Sequence, residues 1–209
     1  MSSSPRTRGS EGWGRVLAAR DRFVDAARAA GPDAPTLCSG WTVRHLVGHL
    51  LTLRDDPLSW PGVALPRLAG LTERRMAAAT ASGFEDALTR LAEGSPFMPM
   101  VFESPRSAWG HHLGEYAAHT EDVVRANALP PTMVDGVTAD ALWRRARVAA
   151  RQLHRRSGGL VLERADTGAV ARVLPGASTR HVVGVPLDLL VWAHRGAGPA
   201  GRRSAEVLR

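Results

Sequence analysis

The sequence contains no lysine, although its formal net charge is +7 and its pI is near 11.2. Apart from histidine, every basic side chain is therefore an arginine. A basic balance raises contact with nucleic acid or with a membrane as function classes. The distribution of the charge argues against both. Arginines are scattered along the chain, as at Arg15, Arg20, Arg74, Arg90 and Arg164, and only the run from Arg144 to Arg156 is dense. That run reads as the solvated face of a helix. Aromatic residues make up 5% of the chain, too few for a platform on which bases stack. No nucleic-acid partner is expected. Cysteine is nearly absent as well. Cys38 stands alone, so an internal disulfide is excluded, which suits a reducing compartment. Its ordinary role is that of a small packed residue in a turn, although a place before a helix could lower its pKa. No apolar run approaches the ~20 residues that cross a bilayer, so no membrane partner is expected. Met1–Gly14 lacks the apolar stretch of a secretory leader, and the expected location is cytoplasmic.

What is present is a chain of 209 residues, 44% of them hydrophobic, enough for one large domain or two small ones. Its most informative stretch is Gly114–Ala126, GEYAAHTEDVVRA. Glu115 and His119 stand four residues apart in a segment of helix-forming composition. On a 3.6-residue helix such positions lie on one face, where a carboxylate oxygen and an imidazole nitrogen can share a divalent cation. Asp122, seven residues after Glu115, stays near that face. A third ligand has to come from elsewhere. Trp41–Leu50, WTVRHLVGHL, offers His49 beside an apolar stripe of Trp41, Leu46, Leu50 and Leu53. Catalytic zinc commonly takes three protein ligands of the His-His-Glu kind and keeps a fourth position open. Burying such groups unpaired would be costly, and a cation between the two helices satisfies both. His49, Glu115 and His119 are the expected metal ligands, with zinc the expected ion and nickel the alternative. His111, four residues before Glu115, is the chief competitor. Glu121 or Asp122 could accept the remaining N–H of His119, as the partners of ligating histidines commonly do.

These two motifs resemble the DinB/YfiT-like metalloprotein superfamily, in the branch related to mycothiol-dependent maleylpyruvate isomerase. The resemblance rests on Trp41, Arg44, Leu46, His49 and Leu50, then on Glu115, His119, Asp122 and Val123. It spans the chain from about Trp13 to Gly196. The segments GPDAPTLCSGW and LAGLTERRMAA also resemble a shorter subfamily described only as metal-binding. The resemblance implies mycothiol as a small-molecule thiol partner and an electrophilic substrate. It implies a catalytic part for Asp122, polarising or positioning groups near the metal. It favours Glu115 and His119 over His111. Related sequences often place an acidic residue at the position of His45. The implied activity is a metal-dependent thiol transferase or isomerase. The alternative is a metal-binding regulatory or stress-related module without turnover.

The remaining pattern sets the architecture. Helices are expected over Trp13–Ala30, Trp41–Arg54, Leu68–Ala81, Phe84–Gly94, Ala108–Ala128, Thr138–Arg156 and Pro186–His194. Proline-rich Asp55–Pro66 and SPFMPMVFESP, Ser95–Pro105, read as loops. Leu160–Arg164, Ala169–Leu174 and Thr179–Val183 read as strands joined by tight turns, which predicts an antiparallel meander. The expected fold is α+β: a four-helix bundle of DinB-like type over 11–129, then a small helix–three-strand–helix unit over 138–196. Residues 1–10 and 197–209 are expected to be flexible tails. A monomer or homodimer is expected. Arg164, Arg172 and Arg180 of the second unit are candidates to bind a substrate carboxylate.

Overall fold

The computed structural model describes residues 5–56, 69–93, 108–156, 158–195 and 206–207. The chain divides into two compact units, Met1–Pro131 and Thr132–Arg209. The expected loops over 57–66 and 95–105, and most of both expected tails, lie outside the described residues.

The first unit is helical: α1 (Pro5–Ala30), α2 (Val43–Asp55), α3 (Ala69–Ala79), α4 (Phe84–Glu93) and α5 (Ala108–Ala126). Among the described residues each of these five helices stands where the sequence pattern expects one, the segment after residue 68 included. The α1 helix begins earlier than its apolar pattern, since Pro5–Gly14 continues the helical backbone. It ends where Gly31 enters the left-handed region at φ 87°, its N–H still bonded to Ala27 O at 3.0 Å. Val16, Phe23 and Ala27 of α1 are fully buried, in line with their helical spacing. Phe23 meets the Tyr116 ring of α5 with centroids 6.5 Å apart. Ala87, Leu88 and Leu91 bury the inner face of α4.

The α2 helix carries an apolar face of Val43, Leu46, Val47, Leu50 and Leu51. It crosses α3 closely enough that glycine is required at the crossing. A Cβ on Gly48 would lie 2.5 Å from Met76 O. Its first turn is closed by His45, whose Nδ1 accepts from Thr42 N–H at 3.1 Å. An imidazole thus stands where a Glu or Gln usually completes a capping box, and the uncertain role of His45 becomes that of a cap.

The second unit runs α6 (Gly136–Leu153), β1 (Gly159–Arg164), β2 (Val170–Leu174), β3 (Thr179–Gly184), α7 (Pro186–Arg195) and β4 (Glu206–Val207). Asp135 caps α6, its Oδ1 accepting from Thr138 N–H at 2.7 Å. The apolar positions of α6 behave unevenly: Ala141, Leu142, Ala146 and Ala149 are buried, but Leu153, at the same helical spacing, is 58% exposed. The helix ends there, so the position no longer faces a partner.

The meander is not what forms. β2 pairs antiparallel with β1 through the turn at Gly168, as expected, but β3 lies on the other side of β1 and runs parallel to it. The sheet order is β2-β1-β3-β4, with β4 parallel to β3. The chain leaves β2 beside the start of β1 and passes round that start in the short segment 175–178. Two glycines let the strands close there. A Cβ on Gly176 would lie 2.3 Å from Gly159 N, and one on Gly159 would lie 3.0 Å from Ser178 O. A short turn therefore does not imply pairing with the preceding strand when the turn can step over a strand end.

Replacing Gly176 with Ala is expected to destabilise the second unit by roughly 1–3 kcal/mol, the usual cost of overpacking. The reading is a lower midpoint in urea unfolding followed by far-ultraviolet circular dichroism. An unchanged midpoint would mean that the 175–178 crossing has room to spare.

Candidate metal centre

Two helices and one turn bring the site together. α5 presents Glu115 and His119 one turn apart, and α2 presents His49. The ligand atoms of His49, Glu115 and His119 all lie within 4.8 Å of one another. His119 Nε2 stands 3.6 Å from Glu115 Oε2. Metal–ligand bonds of zinc to nitrogen and oxygen set a tetrahedral edge of about 3.4 Å, close to this separation, so the pair has the spacing to hold one ion. The His49 and His119 rings meet edge to face, with centroids 5.0 Å apart.

The other nitrogen of His119 is engaged. Its Nδ1 stands 2.8 Å from Asp122 Oδ2, and Asp122 is fully buried. With Nδ1 carrying the proton, the Nε2 lone pair faces Glu115. Asp122 thus sits behind His119, in the place of the carboxylate that orients a metal-bound imidazole. Glu121 is instead paired with Arg125 at 2.7 Å.

Cys38 is the residue whose position the sequence pattern left out of the site. Its thiol donates to the same Asp122 Oδ2 at 3.5 Å, and Cys38, His119 and Asp122 form a second set of atoms within 4.8 Å. A single cysteine, Cys38, in the turn just before Trp41 was the available signal, but nothing in the order of residues ties it to a carboxylate 84 positions away. The turn itself is fastened at both ends. Leu37 N–H donates to Asp122 O at 3.1 Å and Asn127 Nδ2 to Pro35 O at 3.0 Å, both on the α5 side. Thr36 Oγ1 donates to Trp41 O at 2.9 Å, just before α2. The Thr36–Trp41 turn therefore links the helix bearing His49 to the helix bearing His119.

His111 approaches Glu115 from its other oxygen, Nδ1 to Oε1 at 3.9 Å, and does not join either ligand set. With His112, Tyr116 and Arg54 it borders a cavity of about 10 Å³ beside Glu115, room for about one water. On the opposite side, the Trp41 ring packs against His49 at 5.3 Å and forms a wall of a cleft of about 710 Å³ between α2 and α3. Arg44, Arg74 and Glu73 also face that cleft.

The electrostatics favour a cation. Glu115 and Asp122 are both buried, as are His49 and His119. Burial by itself pushes the His119 imidazolium down, but the Cys38 and Glu115 groups beside it outweigh burial, and its pKa lies above the ordinary value. The neighbourhood thus draws positive charge onto His119. Two carboxylates, two neutral imidazoles and one divalent ion would balance to zero, which removes the cost of burying the acids. The donor set of two nitrogens and one carboxylate fits zinc.

A helical bundle with a buried His/Glu/His cluster across two of its helices is the class that this fold and site define. The family model of the mycothiol maleylpyruvate isomerase N-terminal domain matches residues 13–148, and the chain belongs to that family. No curated protein and no solved structure matches the chain. Among the described residues no helix is long and apolar enough to cross a membrane.

Replacing His119 with Ala is expected to strip most of a bound divalent metal, because two ligands hold a borderline ion poorly. Metal analysis of the purified variant checks this, and full occupancy would exclude the set. Proton and metal also compete for His119. Its raised pKa places that competition above the ordinary ~6.5 of histidine, so the ring is neutral and available only on the alkaline side. Metal retained on dialysis should fall as pH drops from about 8 through neutrality to about 5. Retention that is flat over that range would contradict the assignment.

Proposed function

We propose that the protein is a metal-dependent thiol transferase or isomerase, acting with mycothiol or a closely similar thiol on a small electrophile. The observation that carries this reading is the His49, Glu115 and His119 cluster with Asp122 set 2.8 Å behind His119. Membership of the mycothiol maleylpyruvate isomerase N-terminal domain family supports the thiol. A zinc ion held by these three residues would take a thiol sulfur in its fourth position and stabilise the thiolate for attack on carbon.

The chain's own residues have separate parts. His49, Glu115 and His119 would hold the ion. Asp122 accepts the Nδ1 proton of His119 and fixes which nitrogen faces the ion, a positioning part in place of direct contact with substrate. Cys38 and Leu37 steady Asp122 through its side chain and its backbone carbonyl. Trp41 packs on His49 and forms a wall of the α2–α3 cleft, so the cleft lies beside the cluster. The cleft, at about 710 Å³, has the capacity of a small-molecule site. In an isomerase the thiol adds to the electrophilic carbon and leaves again after rotation. In a transferase the new carbon–sulfur bond remains.

Burial of the ligands favours a second reading. His49, Glu115 and His119 are each less than a tenth exposed, and closed, four-coordinate sites are structural rather than catalytic. A non-catalytic metal-binding module would have such a site. Cobalt separates the two. In the cobalt-loaded protein, an added small thiol is expected to produce a sulfur-to-metal charge-transfer band, and mycothiol is expected to be transferred to an electrophile. A visible spectrum unmoved by thiol, in a protein that carries one cobalt per chain, would end the catalytic reading and leave the structural one.

A further inference from the structure

The second unit gathers arginines in a manner that no ion pair explains. Of the three arginines that the sequence offered as carboxylate binders, Arg164 is taken. It is 5% exposed, its Nε and Nη2 donate to the two oxygens of Asp166 at 2.9 and 2.8 Å, and its Nη1 donates to Asp140 at 2.5 Å. Arg180 lies over the Trp192 ring at 4.7 Å. Arg172 has different company. On β2 it faces Arg144, Arg147 and Arg151 of α6, and together with Val148 and Val173 these four border a groove of about 310 Å³. The spacing 144, 147, 148, 151 is that of one helix face.

None of the four arginines is paired with a carboxylate among the described residues. The nearby acids are committed elsewhere: Asp135 to the start of α6, Asp140 and Asp166 to Arg164, and Glu163 to His181 at 2.8 Å. Two of the guanidinium groups are also held in place. Arg151 Nε donates to Val173 O at 3.3 Å, and Arg147 stands over the Trp143 ring at 5.8 Å. Four like charges around one groove repel one another, and fixing two of them gives up side-chain freedom as well. A solvated helix face needs neither feature.

We propose that the groove between α6 and β2 binds a compact anion carrying two or more phosphate groups. Arginine forks match phosphate oxygens in pairs, and a multiply charged anion relieves the repulsion among four cations at once. The exposed side of Val148, 46% accessible, gives an apolar contact for whatever carries the phosphates. A groove of about 310 Å³ holds a small molecule. The site is independent of the metal cluster and of the reading given to it.

The probe is inorganic pyrophosphate, titrated calorimetrically into the full chain at fixed ionic strength. Saturable binding at one site per chain is expected, weakening as sodium chloride is raised because exposed charges are screened over ~10 Å at about 0.1 M salt. The double variant Arg147→Gln, Arg151→Gln should lose about tenfold or more in affinity, since each change removes charge-assisted hydrogen bonds. Arg180→Gln, outside the groove, should bind as the parent does. Far-ultraviolet circular dichroism and the unfolding midpoint without ligand check that the variants are folded. Equal affinity in the double variant would overturn the proposal. So would a heat that sodium chloride of matched ionic strength reproduces. Binding of a short DNA duplex without binding of pyrophosphate would overturn it in favour of nucleic acid.

Discussion

Two carboxylates buried on one helix, Glu115 and Asp122, impose the constraint on which the first unit depends. Neither can remain charged in an apolar core without compensation. One imidazole stands between them, with Nε2 toward Glu115 and Nδ1 toward Asp122. That geometry explains why His49 has to arrive from another helix, and why the Thr36–Trp41 turn is bonded to both. If the turn shifted, Asp122 would lose donors from Cys38 and Leu37 together. It also explains the glycine at position 48. His49 reaches α5 from a helix that packs tightly on α3, and any larger neighbour would push the two apart.

Much of this was legible in the order of residues, and the reasons differ by element. The Glu115–His119 pair lies within one turn, where spacing alone decides who shares a face. His49 lies in a separate segment, and what made it readable was the apolar stripe beside it together with the family motif. The Cys38–Asp122 contact was not legible. It joins positions far apart through a turn, and no periodicity encodes such a meeting. His45 was ambiguous for a related reason, since a cap depends on the backbone angle of the preceding residue and not on a pattern.

The second unit shows the same division. Its strands were legible as alternating runs, and the turn at Gly168 announced the first hairpin. The side on which β3 would pair was not, because that choice rests on two glycines, Gly159 and Gly176, passing each other without side chains. The helix pattern of α6 carried Leu153 one turn past the point where packing ends. The dense arginine run looked like an ordinary wet surface. What changed its meaning was Arg172, brought beside it by a strand that the sequence gives no reason to place there.

Cys38, finally, is the sole thiol in 209 residues, so a thiol-selective reagent marks a single atom. That atom sits in a partly exposed turn, yet its hydrogen-bond acceptor is an oxygen shared with His119. The chain thus carries its own reporter. A change in how firmly Asp122 is held would therefore alter the surroundings of this thiol, which gives a reading of the buried cluster from the outside, with no label added to the helices that form it.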